Sequence, residues 1–273
     1  MDEAVVVKIR ICIVTMIPEL LYDAANLAID NASGPVSLMV GANMCKIDRS
    51  RIHPCDDVYV EEYEDNEGVV PPMHNLWQAA AKSGHDGRDD ILVFIHDDCQ
   101  ILEKGWDGRI VSVMSTQPLC DGIGLVGGTG IGAHDIYQRP YELIQLARHN
   151  VHSALVDAHV HGAYASGPML LATADGCALI MRRSFLDQLG GWSWWKEANH
   201  GYDNAISCML RRHGRQLYLV PIRFAHPSLL KLYGGHKNDV AAARYAERFG
   251  DCYTRAHRQL YDEFRDVLPF HVS

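Results

Sequence analysis

Ile91-Leu92-Val93-Phe94-Ile95-His96-Asp97-Asp98 is the stretch that decides how this chain reads. Its unbroken apolar run describes a strand covered on both faces, because a strand with one wet face would alternate apolar and polar side chains. The run stops abruptly at an imidazole and two carboxylates. Open α/β sheets bind ligands in the crevice beyond the carboxyl ends of their parallel strands, so the polar triplet stands where such a sheet does its chemistry. Adjacent carboxylates repel, and a divalent cation that neutralises them while bridging phosphate oxygens relieves the repulsion. Taken in isolation, the Asp-Asp pair also reads as a strand-end turn with aspartate as a cap.

Working outward, residues 5–15 (VVVKIRICIVT) form a β-branched strand, and Pro18 opens a helix with Leu20, Leu21, Ala24, Ala25 and Ala28 at helical spacing. Residues 36–40 give a second strand, and a β-α-β opening implies parallel pairing. A third strand around Val58-Tyr59-Val60 precedes Pro71-Pro72 and a helical stripe of Met73, Leu76, Trp77 and Ala80 ending at Gly84. Beyond the central strand, Trp106, Ile110, Val113 and Met114 mark a helix, and residues 122–128 (GIGLVGG) a strand running into a glycine turn. Residues 171–181 read as a strand around Asp175-Gly176, Ser184 as the cap of a short helix ending at Gly190-Gly191, residues 203–213 as a helix closed by Gly214, and residues 217–222 as a strand leading to His226. The expectation is an α/β protein of Rossmann type, with a mixed, mainly parallel central sheet flanked by helices. Residues 1–228 would form this domain, 133–170 an insertion over the site, and 229–273 a C-terminal loop and helical appendage.

Composition narrows the class. With 273 residues, 48% hydrophobic and 22% charged, the chain has the balance of a globular domain rather than a disordered one. No apolar run approaches the roughly 20 residues of a membrane span, and Met1-Asp2-Glu3 lacks the basic start of a secretory signal, so a soluble cytoplasmic protein is expected. The eight cysteines include no CxxC pair, which fits reduced thiols better than a disulfide frame or a zinc ribbon. A net charge of -9 weighs against a broad nucleic-acid surface, although a local basic groove stays open. The acidic run over 56–67 reads as a solvated loop around a short strand.

The order of segments carries a resemblance. Asn75-Leu76-Trp77-Gln78-Ala79-Ala80 is followed by ILVFIHDDCQI (91–101), GLVGGTG (124–130), ADGCALIMRRSFLDQLGGW (174–192), GYDNAISCMLRRHGRQLYLVP (201–221) and then His226. From about residue 7 to about residue 228 this resembles glycosyltransferase family 2 and its relatives of GT-A fold. The resemblance implies transfer of a sugar from a nucleotide sugar, chiefly a UDP-sugar, to an acceptor hydroxyl with inversion at the anomeric carbon. It implies that Asp98, matching the last acid of an Asp-any-Asp element, binds Mn2+ or Mg2+, and that His226 completes the metal or pyrophosphate site. His96 stands where the family usually has the first Asp, so an imidazole would make the nucleotide contact there, with Asp97 assisting. Asp203 matches the second member of an acidic pair and would be the catalytic base, able to take the acceptor's proton. Tyr202 stands where the first member of that pair often is. Asn75 and Lys237 are further candidates for the nucleotide, and Asp175 for the substrate.

Other readings come from the residues alone. Trp192, Trp194 and Trp195 cannot easily all point inward, and indole faces pack on sugar rings, so at least one is expected to wall a cleft. Neutral imidazole at His226 is a competent Mn2+ ligand. As a helix-start residue, Asp203 also reads as an N-cap, a role compatible with being a base. Gly122-Ile123-Gly124-Leu125-Val126-Gly127 satisfies GxGxxG, yet Leu125-Val126 reads as strand interior, so a dinucleotide fingerprint is not expected. His149, His152, His159 and His161 match no closed zinc spacing. Lys231, His236 and Lys237 flank Gly234-Gly235, where a loop could close its cations over a diphosphate. Two rival classes share this chemistry: a metal-dependent phosphoesterase or nucleotidyltransferase, and a noncatalytic nucleotide-sugar-binding module. A nicotinamide oxidoreductase is more distant. Acceptors with a hydroxyl include glycans, lipid-linked sugars, proteins, metabolites and hydroxylated DNA bases, and no side-chain pattern selects among them or sets an oligomeric state.

Overall fold

The computed structural model describes residues 7–82, 90–131, 165–226 and 250–272. Strand β1 (Ile9–Thr15) leads into helix α1 (Pro18–Asn31), which starts on a proline because the first helical position has no amide partner to lose. Leu20, Leu21, Ala24, Ala25 and Ala28 of α1 are buried, so the periodicity read from the sequence is the face laid on the sheet. Next come β2 (Val36–Asn43), β3 (Val58–Tyr63), α2 (Val70–Lys82) and β4 (Ile91–His96), whose five apolar residues are all buried. The chain continues through β5 (Gln100–Ile101), α3 (Trp106–Thr116), β6 (Cys120–Gly124), β7 (Gly127–Gly128), β8 (Gly130–Ile131), β9 (Met169–Leu171), β10 (Thr173–Ala174), β11 (Ala178–Arg182), α4 (Arg183–Leu189), α5 (Tyr202–Arg212), β12 (Gln216–Leu219) and β13 (Phe224–Ala225). Helix α6 (Cys252–Glu263) and β14 (Phe270–His271) complete the described elements.

An eight-stranded sheet runs in the order β3-β2-β1-β4-β11-β6-β12-β9. Its first four strands are parallel, with Ile11 level with Leu38 on one side and Val93 on the other. Strand β11 lies antiparallel to both β4 and β6, β12 is parallel to β6, and β9 is antiparallel to β12. The expected α/β class and mixed, mainly parallel sheet are therefore the observed ones. Among the described residues no helix is long and apolar enough to cross a membrane.

The acidic run over 56–67 does surround a short strand as expected, β3, an edge strand where charged side chains discourage pairing with another chain. Several boundaries differ from expectation for visible reasons. Residues 171–181 are not one strand: β9, β10 and β11 are separated, and Asp175-Gly176 sit in the turn that reverses the chain into β11. Ser184 lies inside α4 and does not cap it; Arg182 precedes the helix, and Gly190 closes it in the left-handed region at φ 71°. Strand β12 stops at Leu219 rather than 222. The glycines of the GxGxxG pattern serve packing, since a Cβ on Gly127 would stand 2.2 Å from the Thr173 carbonyl oxygen. Residues 250–272 join the same core, with Ala256 and Leu260 buried on α6, Phe264 buried just after it, and β14 paired with β8.

Candidate functional site

Parallel strands β1 and β4 end side by side, and their last side chains open a cleft of about 410 Å³. At the end of β4 the His96 amide donates to Cys177 O (3.0 Å), which ties it to the start of β11, and Cys99 N donates back to His96 O (3.0 Å). Asp97 and Asp98 are thus the middle of a tight turn. Thr15, the last residue of β1, donates its hydroxyl to Asp97 Oδ2 at 2.6 Å and accepts from Ile17 N at 3.0 Å. The short pair of β5 and β13 sets Ala225 opposite Gln100, and the next residue, His226, reaches back to Asp98 with Nε2 to Oδ1 at 3.1 Å. His96 Nδ1 lies 4.0 Å from the same oxygen. One ligand atom from each of His96, Asp98 and His226 falls within 4.8 Å of the others.

The opposite wall comes from the turn before β11 and the start of α5. Gly201 precedes α5 with φ 72°, a left-handed conformation that a side chain would strain. Asp203, in the first turn, accepts from Gly176 N (3.1 Å) and, through its other oxygen, from Asn204 N (2.8 Å). The positive end of the helix favours an anion there. The N-cap position itself is Gly201, so Asp203 is not the cap. Asp175 accepts from Cys177 N at 2.9 Å. Between the walls, Tyr202 Oη stands 3.0 Å from His96 Nε2 and 3.5 Å from Gly176 O.

Electrostatics separates the acids. Burial alone would raise Asp98, but the hydrogen bond from His226 and the charges of His226 and His96 hold it below the ordinary carboxylate value. Burial likewise works against the charged form of His226, and the bond and charge of Asp98 overcome it, pushing His226 up to about 9. His96 is pushed down, by burial and by the neighbouring His226. Asp97 is raised to about 6 by burial, against the Thr15 hydrogen bond. Asp203 is also raised to about 6, by burial and then by the Asp175 charge, with the backbone bonds pulling the other way.

Of the residues singled out from sequence, His96, Asp97, Asp98, Asp175 and Asp203 line this one cleft, and His226 touches it through Asp98. The others lie elsewhere. Asn75 is on α2 and donates to the Tyr63 hydroxyl at 3.1 Å, away from the cleft wall. None of the three tryptophans walls the cleft, which corrects the expectation for them. Trp192 is 0% exposed and packs edge-on against Phe94 (5.7 Å) and Tyr202 (6.2 Å). Trp195 is 4% exposed with its indole N–H on His200 O (2.9 Å), and Trp194 sends its own to Gly191 O (2.8 Å) while meeting Phe264, at the end of α6, edge-on. The backbone turn at Gly190-Gly191 supplies an acceptor for Trp194, and packing under α6 does the rest. Lys237, together with Lys231, His236, His149, His152, His159 and His161, lies outside the described residues. Thr15 and the Tyr202 hydroxyl were not assigned roles from sequence; the signal for Thr15 was a polar residue ending a buried strand beside the acidic one.

Two imidazole nitrogens and one carboxylate oxygen form a donor set suited to a divalent transition ion, Mn2+ better than Mg2+, because Mg2+ favours oxygen alone. Asp98, 7% exposed with His226 at 3.1 Å and His96 at 4.0 Å, fits a group that gains from a cation.

The sequence matches no protein-family model and no curated protein. Among solved structures, the chain is similar to a crystal structure of GalNAc-T7 with UDP, GalNAc and Mn2+, at 15% identity and a TM-score of 0.55, covering 82% of this chain. It spans 44% of the length of that protein. The likeness is one of fold: this chain has a GT-A-like α/β architecture, an eight-stranded mixed and mostly parallel sheet between helices, with a His-Asp-His cluster at the carboxyl edge of its central strands.

Proposed function

We propose that the chain is a metal-dependent glycosyltransferase that moves a sugar from a nucleoside diphosphate sugar, a UDP-sugar by preference, to an acceptor hydroxyl with inversion at the anomeric carbon. The observation that carries this reading is that His96 and Asp98, clustered with His226, and the raised carboxylate of Asp203 line one cleft. The volume of about 410 Å³ falls in the roughly 300–1,000 Å³ range of small-molecule sites. The solved structure of similar fold holds UDP, GalNAc and Mn2+, which supports the same donor class here.

His96, Asp98 and His226 would hold the cation, which when bound supplies positive charge against the departing diphosphate. Asp203 would take the proton of the acceptor hydroxyl as its oxygen attacks. A carboxylate raised to about 6 is still ionised at neutral pH yet is a stronger base than an ordinary one. Gly176 N and Asn204 N fix its two oxygens, so it meets the acceptor in one orientation. Asp97, braced by Thr15, lines the floor of the cleft next to the cluster and would meet the donor's ribose or phosphate as a hydrogen-bonding group.

Product analysis with Mn2+ and a panel of UDP-sugars tests the reading. Free UDP with the sugar transferred to an added acceptor or to water is expected, whereas UMP or inorganic phosphate would support a phosphoesterase or nucleotidyltransferase instead. Asp98→Ala should weaken both Mn2+ and UDP-sugar binding by about 100-fold or more, since even outer-shell changes cost about 10–100-fold in metal affinity. Unchanged affinities for both would overturn the proposal.

A further inference from the structure

Tyr202 joins the two walls of the cleft, and its hydroxyl has a single proton to share between two neighbours. The Gly176 carbonyl, 3.5 Å away, can only accept. His96 Nε2, at 3.0 Å, can give or accept according to which ring nitrogen carries the proton. Both contacts are satisfied together only when Tyr202 donates to Gly176 and accepts from His96 Nε2–H. That leaves Nδ1 of His96 with its lone pair, and Nδ1 is the nitrogen that faces Asp98 at 4.0 Å. The opposite tautomer would strip Gly176 O of this donor.

The position of the hydroxyl is fixed by packing. Tyr202 is 5% exposed, its ring meets Trp192 edge-on at 6.2 Å, and the bare Cα of Gly176 lets it approach so closely that a Cβ there would lie 2.5 Å from the Oη. The packing leaves the phenol little freedom to turn away from His96. A metal-ligating histidine generally has its second nitrogen anchored in this way, which selects the tautomer and aims the ring.

We infer that Tyr202 is a positioning residue that holds His96 as the Nε2–H tautomer and so presents Nδ1 as the third protein ligand of the metal. This rests on the metal site proposed above, and it assigns His96 to the cation rather than to the nucleotide. It also gives the two departures from the family pattern, His in place of an acid and Tyr in place of an acid, one shared cause: the two side chains are partners.

The test reads the tautomer and the metal separately. In metal-free protein labelled with 15N-histidine, a long-range 1H–15N spectrum, assigned by the signals lost in His96→Gln, should show His96 protonated at Nε2 and bare at Nδ1. A proton on Nδ1 in the unmodified protein overturns the inference. Tyr202→Phe, checked for folding by its melting temperature, should give a mixture of tautomers and weaken Mn2+ binding by about 10–100-fold. In a His96→Gln background the same change should alter Mn2+ affinity less than about twofold, because its route through His96 is gone. Wild-type Mn2+ affinity in Tyr202→Phe, alongside its loss in Asp98→Ala, would sink the role of Tyr202 and leave the metal site standing. Mn2+ affinity unaltered in Asp98→Ala would sink both.

Discussion

Asp98 on one wall of the cleft and Asp203 on the other are the same residue type, each removed from bulk water, and their surroundings drive them apart. Asp98 has a cationic partner in His226 and is held below the ordinary carboxylate value despite its burial. Asp203 rises to about 6, first through its burial and then through the charge of a neighbouring anion, Asp175. Desolvation is common to both; the sign of the adjacent charge decides the outcome. Pairs of titratable groups whose environments separate them are how one site holds a permanently charged anchor beside a group that can exchange a proton.

The sharpest way to break this division of labour is Asp203→Asn. Turnover should fall by about 10²–10⁴-fold, the range for losing a general base, while Mn2+ affinity stays within about twofold of wild type. A matching collapse of metal binding would mean that the two walls are not separate in function. In the unmodified protein, the proposed activity at saturating metal should climb as pH rises through about 6, where Asp203 loses its proton, and this limb should be absent from the residual activity of the variant.

Metal binding should sharpen the other half. His226 is held protonated up to about 9 by Asp98, and a ligand nitrogen must be bare, so binding displaces that proton. Mn2+ affinity should therefore rise by about tenfold per pH unit between roughly 6 and 8. Calorimetry at pH 7 in buffers of different ionisation enthalpy should find close to one proton released per ion. No release would remove His226 from the ligand set.

A smaller effect concerns stability. Asp203 has a higher pKa folded than unfolded, so the native state binds its proton more tightly, and the stability this gives at low pH is lost as pH rises through about 6. At pH 7 the buried charge is a cost, reduced by the cleft's access to water. Asp203→Asn should accordingly stabilise the fold at pH 7 by on the order of 1 kcal/mol, a rise of a few degrees in melting temperature, and should give little gain at pH 4.

The half of the sheet from β3 to β4 was legible because its signals are local: β-branched runs for strands, a helical stripe from Leu20 to Ala28 between two of them, and an apolar run that ends in charge. The segment around Asp175 was harder. Its strands are two to five residues long, and pairing partners such as Gly127 and Ala174 are far apart in sequence, so no short-range pattern marks the breaks at Ala172 and Asp175. The resemblance implied one cation site for Asp98 and His226 and a base at Asp203, and the fold adds that Asp98 and His226 are in contact. Trp192 and Trp195 misled because indole chemistry suits a sugar wall and a core equally well, and the choice depends on which acceptors and rings the fold brings near. Tyr202 was visible as an oddity next to Asp203; its link to His96, 106 positions away, was not.

Strand β11 runs against its neighbours, and its first hydrogen-bonded step receives the His96 amide at Cys177 O. One backbone segment thereby adjoins both the turn that carries Asp97 and Asp98 and the Gly176 amide that donates to Asp203. Fraying of either part should loosen that shared segment, so the proposed cation site and the proposed base are expected to be lost together as one cooperative unit.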